Sequence, residues 1–234
     1  MSLRIMVAPP QDGTLREPSA VERLFTEKAG FYHRFFIDFL RYGAGLEALF
    51  SQNRYLRFGV KVLDAGCGTG ILTRNLHAIA RRSNMHGVIF HGFDLTPAML
   101  DLFTRWMAEH GVENIELRRA NVLHAEELPA SWRDYDLIVS SAMLEYLPKG
   151  ELVGALRNLN RLLARDGILV VCISRQNLLM RWLIGVWWKA NLYERAELEQ
   201  IFDDAGFTVR FRHFPFPYSH VNLWGHVIEA RKAP

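Results

Sequence analysis

From Val60 onward, short β-branched runs alternate with longer stretches of helical periodicity, and this alternation limits the fold more than any other feature of the chain. The strand candidates are 61–65, 88–94, 115–119, 137–140 and 168–173. Helical segments are expected at 72–82, 97–110 and 149–164, with Gly111 and Gly167 as their C-terminal stops. A helix between successive strands lets them run parallel and covers both faces of the sheet, which is the α/β class. The end of the chain breaks the rhythm. A helix over 196–205 stops at Gly206, and strand candidates 207–214 and 227–232 follow with only a loop containing Pro215 and Pro217 between them. Without a crossover helix the two should pair antiparallel.

Upstream, Ser19 is an N-cap candidate with Glu22 three positions later, opening a run in which Val21, Leu24, Phe25, Phe31, Phe35, Phe36, Phe39 and Leu40 recur near helical spacing. Residues 1–18, with Pro9, Pro10 and Gly13, read as a flexible lead-in, 19–234 as a single domain, and 19–58 as its N-terminal helices. With half of 234 residues apolar, one large core is affordable.

The 28 basic and 25 acidic residues leave a charge of +3, spread along the sequence without a basic stripe, so no nucleic-acid partner is expected. Cys67 and Cys172 have no second Cys or His at ligand spacing, which points to no metal and to a reducing cytoplasm. No secretory signal is read at the N-terminus. The apolar stretch 178–188 is interrupted by Arg181 and too short to span a bilayer, so stable membrane insertion is not expected, although surface contact stays open. Oligomeric state is not legible.

Chemistry enters where Val62-Leu63 runs into Asp64-Ala65-Gly66-Cys67-Gly68-Thr69-Gly70 ahead of a helix. Strand, glycine turn and helix N-terminus form a nucleotide-type site, but several cofactors use such turns. The dinucleotide pattern requires its third glycine one residue later, where Ile71 stands. A carboxylate at Asp64 would repel a pyrophosphate, yet it can accept hydrogen bonds from an ammonium group. Asp94, ending the next strand candidate, suits the two hydroxyls of a ribose. A nicotinamide-dependent oxidoreductase is therefore the weaker alternative.

After residue 60 the chain resembles the class I S-adenosylmethionine-dependent methyltransferases. Residues 62–70 look like their first motif, Phe93-Asp94-Leu95-Thr96 with Met99 like their second-strand segment, and Tyr135-Asp136-Leu137-Ile138-Val139-Ser140-Ser141 like their fourth-strand motif. Leu159 to Val171 resembles the helix, turn and fifth strand, with Arg165-Asp166-Gly167 where Pro-Gly-Gly is frequent. The resemblance implies a Rossmann-like, mostly parallel seven-stranded sheet with an antiparallel last strand, helices on both faces, an N-terminal helical extension and a helical lid over 175–192. It implies S-adenosyl-L-methionine as cofactor, bound by Asp64, Ala65, Gly66, Cys67, Gly68, Gly70, Asp94, Leu95, Met99, Asn121, Val122, Ser140 and Ser141, with Tyr32 closing over it. Asn121 stands where the family often has Asp, and on the residues alone a turn residue is its alternative reading.

Methyl transfer to a small, apolar or aromatic acceptor is expected, with a lipid or protein acceptor as the alternative. Trp182 and Trp187 of the lid, Tyr146 and Tyr218 are the candidate substrate contacts, and Phe211, Phe214 and Phe216 lie near them. Glu145, His213 and His220 are the candidates for a proton acceptor, with His226 nearby in sequence, and the residues do not choose among them.

Overall fold

A computed structural model describes residues 41–176 and 191–234. The periodic run from Ser19, Tyr32 within it, and Trp182 and Trp187 of the expected lid lie outside the described residues.

The elements in chain order are α1 (Tyr42–Asn53), β1 (Lys61–Ala65), α2 (Ile71–Arg82), β2 (Ile89–Asp94), α3 (Pro97–Glu109), β3 (Ile115–Arg119), β4 (Tyr135–Ser141), α4 (Leu152–Leu162), β5 (Leu163–Ser174), α5 (Arg195–Asp204), β6 (Phe207–Arg212) and β7 (Gly225–Lys232). The strands form one seven-stranded sheet in the order β3-β2-β1-β4-β5-β7-β6. Strands β1 to β5 pair parallel, whereas β7 pairs antiparallel with both β5 and β6. The chain winds outward from β1 to β3 and then returns to β4. Connections therefore leave β1 and β4 in opposite directions and open a crevice at their carboxyl ends.

The strand alternation divides the core in two. Val62, Val139 and Val170 face Leu46, Phe50, Leu76 and Phe103 from α1, α2 and α3. Leu63, Ile138, Val171 and Ile228 face Leu156, Leu159 and Phe202 from α4 and α5. Burial on both faces is why these strands read as continuous apolar runs.

One sequence expectation is corrected. Gly167 does not stop a helix, and Arg165-Asp166-Gly167 is not a separate turn. The helix already ends at Leu162, because Leu163 takes an extended conformation (ψ 140°), and β5 absorbs the intervening residues as an irregularity opposite Tyr135–Leu137. Glycine is needed at 167 for closeness. A Cβ there would lie 2.6 Å from the Tyr135 carbonyl oxygen and 2.8 Å from the Leu163 side chain.

Past its C-terminus, α1 is tied to the antiparallel edge through Glu229, which is buried. Its Oε2 accepts from the Tyr55 hydroxyl at 3.0 Å and from Arg212 Nε at 2.8 Å. The pairing satisfies a carboxylate that would otherwise be costly in the core.

Candidate functional site

The turn after β1 is held by the end of β2. Gly66 and Cys67 both donate their amides to the Phe93 carbonyl at 2.9 Å, and Gly68 donates its amide to Asp94 Oδ2 at 2.8 Å. Asp94 Oδ1 accepts from the Thr96 amide at 2.8 Å, so this carboxylate spans the glycine turn and the start of α3. Enclosure raises its pKa against the pull of those amides.

The glycines divide by what surrounds them. Gly70 (φ 82°) has the Phe103 ring where a Cβ would stand, and Met143 fills the same place at Gly66. Gly68 also has positive φ, 52°, but a Cβ there would meet no atom within 4 Å. The outer two glycines are thus required by the protein's own packing, while the middle one borders open space. That opening lets a ligand lie against the main chain.

Asp64 is 2% exposed, and its Oδ2 accepts from the amide and the hydroxyl of Thr73 at 3.2 and 2.6 Å. Thr73 sits in the first turn of α2, where a carboxylate also gains from the helix dipole. Burial nevertheless pushes Asp64 up to about 7, with Asp94 adding a smaller repulsion. Oδ1 takes no hydrogen bond from the described residues. A buried acid with one free oxygen and a raised pKa lacks a counter-charge, and an ammonium group supplies one.

The remaining candidates line the same edge. Leu95 is half-buried, and Met99 is buried in the first turn of α3. Asn121 Oδ1 accepts from the Leu123 amide at 3.0 Å, capping a short 3-10 turn, so the turn role expected of Asn is realised there. Val122 beside it is buried and offers its carbonyl to Asn158. Cys67 packs its thiol at the Gly92 backbone as a small filler, and burial raises its pKa well above the ordinary thiol value.

At the end of β4 the Ser140 hydroxyl is buried without a partner, while Ser141 Oγ lies 2.7 Å from the Tyr42 hydroxyl. Tyr42 opens α1, and its ring packs on Phe214 at 5.9 Å. A Cβ at Gly45 of the same helix would stand 3.2 Å from the Phe214 ring and 3.4 Å from Tyr218, and Arg41 lies over the Tyr218 ring at 5.6 Å. Asn75 of α2 donates to the Gly43 carbonyl at 2.9 Å. The first turn of α1 therefore joins the cofactor-side helix, the end of β4 and the β6–β7 connection.

Of the proton-acceptor candidates, Glu145 is 2% exposed. Its Oε1 accepts from Ser174 Oγ at 2.9 Å, and its carbonyl accepts from the Asn191 amide at 2.8 Å. Desolvation raises it to about 7. Such enclosure makes it a tie between the β4 end and the β5 end. Tyr146 follows it half-buried, and His213 and His220 are exposed. Reasoning from sequence missed Tyr42, Thr73, Met143 and Phe103. Thr73, a hydroxyl three residues past the last glycine, was the one with a local signal.

Among the described residues no group of His, Cys, Asp or Glu is placed to hold a metal ion, and no helix is long and apolar enough to cross a membrane.

Residues 62–167 match a family model described as a methyltransferase domain. Among curated proteins, aklanonic acid methyltransferase DauC of Streptomyces sp. (strain C5) is 33% identical over 109 residues, 47% of this chain and 46% of that protein. Ubiquinone biosynthesis O-methyltransferase of Shewanella sp. (strain ANA-3) is 33% identical over 96 residues, 41% of this chain and 36% of that protein. The chain thus spans less than half the length of these curated relatives. Among solved structures, mitomycin 7-O-methyltransferase MmcR superposes with a TM-score of 0.69 at 16% identity, covering 91% of this chain and 60% of that one. Magnesium protoporphyrin IX methyltransferase from Synechocystis PCC 6803, solved with S-adenosylmethionine bound, gives 0.63 at 18% identity, covering 95% and 100%. Strand order, glycine turn and matched segment agree: residues 62–167 match a methyltransferase domain, and the sheet has the fold seen in S-adenosylmethionine-dependent methyltransferases of class I.

Proposed function

We propose that this chain transfers a methyl group from S-adenosylmethionine to a small acceptor that is apolar or aromatic around its reacting atom. The observation that carries the reading is the open space at Gly68, flanked by two enclosed carboxylates at the ends of β1 and β2. The residues fit the cofactor. Asp64 Oδ1 meets the ammonium, Asp94 takes the ribose hydroxyls, Leu95, Met99 and Val122 flank the adenine with Asn121 at its edge, and Ser140 and Ser141 border the methionine portion.

When bound, S-adenosylmethionine supplies a methyl carbon made electrophilic by a sulfonium. The protein then holds the acceptor in line and keeps water away, since positioning supplies much of the acceleration in such a displacement. Tyr42, Phe214 and Tyr218 beside Ser141 give the acceptor apolar and aromatic walls. Small polycyclic or quinonoid acceptors are suggested by the names of the relatives and neighbours, aklanonic acid, ubiquinone and mitomycin among them.

Incubation with methyl-labelled S-adenosylmethionine and a fractionated cell extract is expected to place the label in the small-molecule organic fraction. Label confined to protein or to phospholipid would refute the acceptor assignment.

A further inference from the structure

Residues 142–146 join the cofactor turn to the end of β5. Ala142 leaves β4 with a positive φ, 52°, and donates its amide to the Cys172 carbonyl at 3.0 Å, which turns the chain across the neighbouring strand. Met143 then fills the space at Gly66, and two residues on, Glu145 Oε1 accepts from Ser174 Oγ at 2.9 Å. The Asn191 amide holds the Glu145 main chain at 2.8 Å. That tie uses one oxygen of the carboxylate. Oε2 is buried as well and takes no hydrogen bond from the described residues. An acceptor enclosed without a donor is destabilising, and the tie to Ser174 does not account for it.

This carboxylate is held on the face of the sheet that carries the acceptor walls. Val139 and Cys172 belong to the core under α1, together with Phe214 and Tyr218. Ser141 and Ser174 each stand two residues further along their strands and so point to the same side. The Tyr42 hydroxyl marks that side, lying 2.7 Å from Ser141 Oγ and reaching the Cys172 thiol. Ser174 stands roughly 7 Å along β5 from the level of the Ser141–Cys172 pair, at ~3.3 Å per residue. A single acceptor oxygen fits between the two serines, with hydrogen bonds of ~2.8 Å.

We propose that Glu145, through Oε2, takes the proton from a hydroxyl of the methyl acceptor, which makes the reaction an O-methylation of a phenol or enol. This rests on the methyl-transfer reading, which puts the reacting atom beside Ser141. The acceptor's O–H bond breaks, with the proton going to Oε2 and the electron pair staying on oxygen. The new O–C bond forms as the sulfur–carbon bond breaks, and the sulfur keeps that second pair. Glu145 is left as the neutral acid and returns its proton to water after product leaves. Desolvation holds Glu145 at about 7, which matches a phenol at about 10 far better than an aliphatic alcohol.

Titration of the full chain saturated with S-adenosylhomocysteine, with 1-naphthol and 1-methoxynaphthalene as probes, tests this. At pH 8 the naphthol should bind at least about tenfold tighter than its methyl ether, because only the hydroxyl donates to a carboxylate. The preference should shrink as pH falls from 8 to 6, since protonated Glu145 no longer accepts at Oε2. The titratable groups around Glu145 are Tyr42 on α1, Cys172 on β5 and Tyr193 ahead of α5, and burial holds the last two up to about 12. Glu145→Gln keeps a carbonyl oxygen for Ser174 and puts an amide NH2 in the place of Oε2. The variant should bind S-adenosylhomocysteine as the wild type does and lose both the preference and its pH dependence.

Equal binding of the two probes at pH 8, absence of naphthol binding, or a preference that persists in folded Glu145→Gln protein overturns the proposal. A wild-type preference that does not change between pH 6 and 8 overturns it too, without recourse to the variant. Failure of S-adenosylhomocysteine to bind would sink the methyl-transfer reading and this proposal with it, whereas normal binding of the nucleoside beside unselective probes sinks the proposal alone.

Discussion

Asp64→Asn is expected to weaken S-adenosylmethionine by about 10- to 100-fold, the worth of one charge-assisted hydrogen bond, while making the cofactor-free protein more stable. The two effects have one cause. Asp64 titrates near 7 in the fold, against roughly 4 in the unfolded chain, so between those values the native state binds the proton more tightly. Wild-type stability contributed by this group therefore falls as pH rises from about 4 to about 7 and is level above. Asparagine keeps an acceptor for Thr73 and never ionises. At pH 8 the variant's melting temperature should rise by roughly 2 to 12 °C, for a gain on the order of 1–3 kcal/mol. Calorimetry and titration on the same preparation check both halves, and a lower melting temperature at pH 8 would contradict the account. Affinity for the cofactor should also tighten in the wild type between pH 6 and 8, as Asp64 becomes the carboxylate its ligand needs.

The second large effect separates two glycines of one turn. Gly70→Ala puts a methyl group into the Phe103 ring at a residue with φ 82°, combining overpacking with left-handed strain. A loss of about 3 kcal/mol or more is expected, enough to lower the melting temperature by some 6–12 °C. Gly68→Ala has only the strain of φ 52°, because its Cβ meets nothing, and should cost about 1 kcal/mol. Its effect falls on binding instead. The added methyl occupies the space left for the ligand, and affinity should drop about 10- to 100-fold in a protein that still folds. If Gly68→Ala binds S-adenosylmethionine as the wild type does, the opening at that residue is not the cofactor site.

Much of this arrangement was legible in the sequence because the fold writes it locally. The expected strand 61–65 and the helices near 72–82 and 97–110 coincide with β1, α2 and α3 to within a residue or so, since buried parallel strands and capped helices carry their own patterns. The antiparallel end followed from the missing crossover helix. Gly167 was misread because a glycine after a helical run signals a stop, whereas its requirement comes from Tyr135 on the neighbouring strand, a contact no local pattern records. At the site, the glycine motif carried Asp64 and the turn, and the end of the second strand candidate carried Asp94. Tyr42 on Ser141 and Phe103 against Gly70 join residues far apart in the chain, and only the fold brings them together.

The central claim is that the Asp64–Gly70 turn binds a cationic nucleoside without phosphate. Isothermal titration of the wild-type chain at pH 8 with S-adenosylmethionine and, separately, with NADH tests it most directly. Saturable one-to-one binding of S-adenosylmethionine with no heat from NADH is predicted, and binding of NADH alone would contradict it.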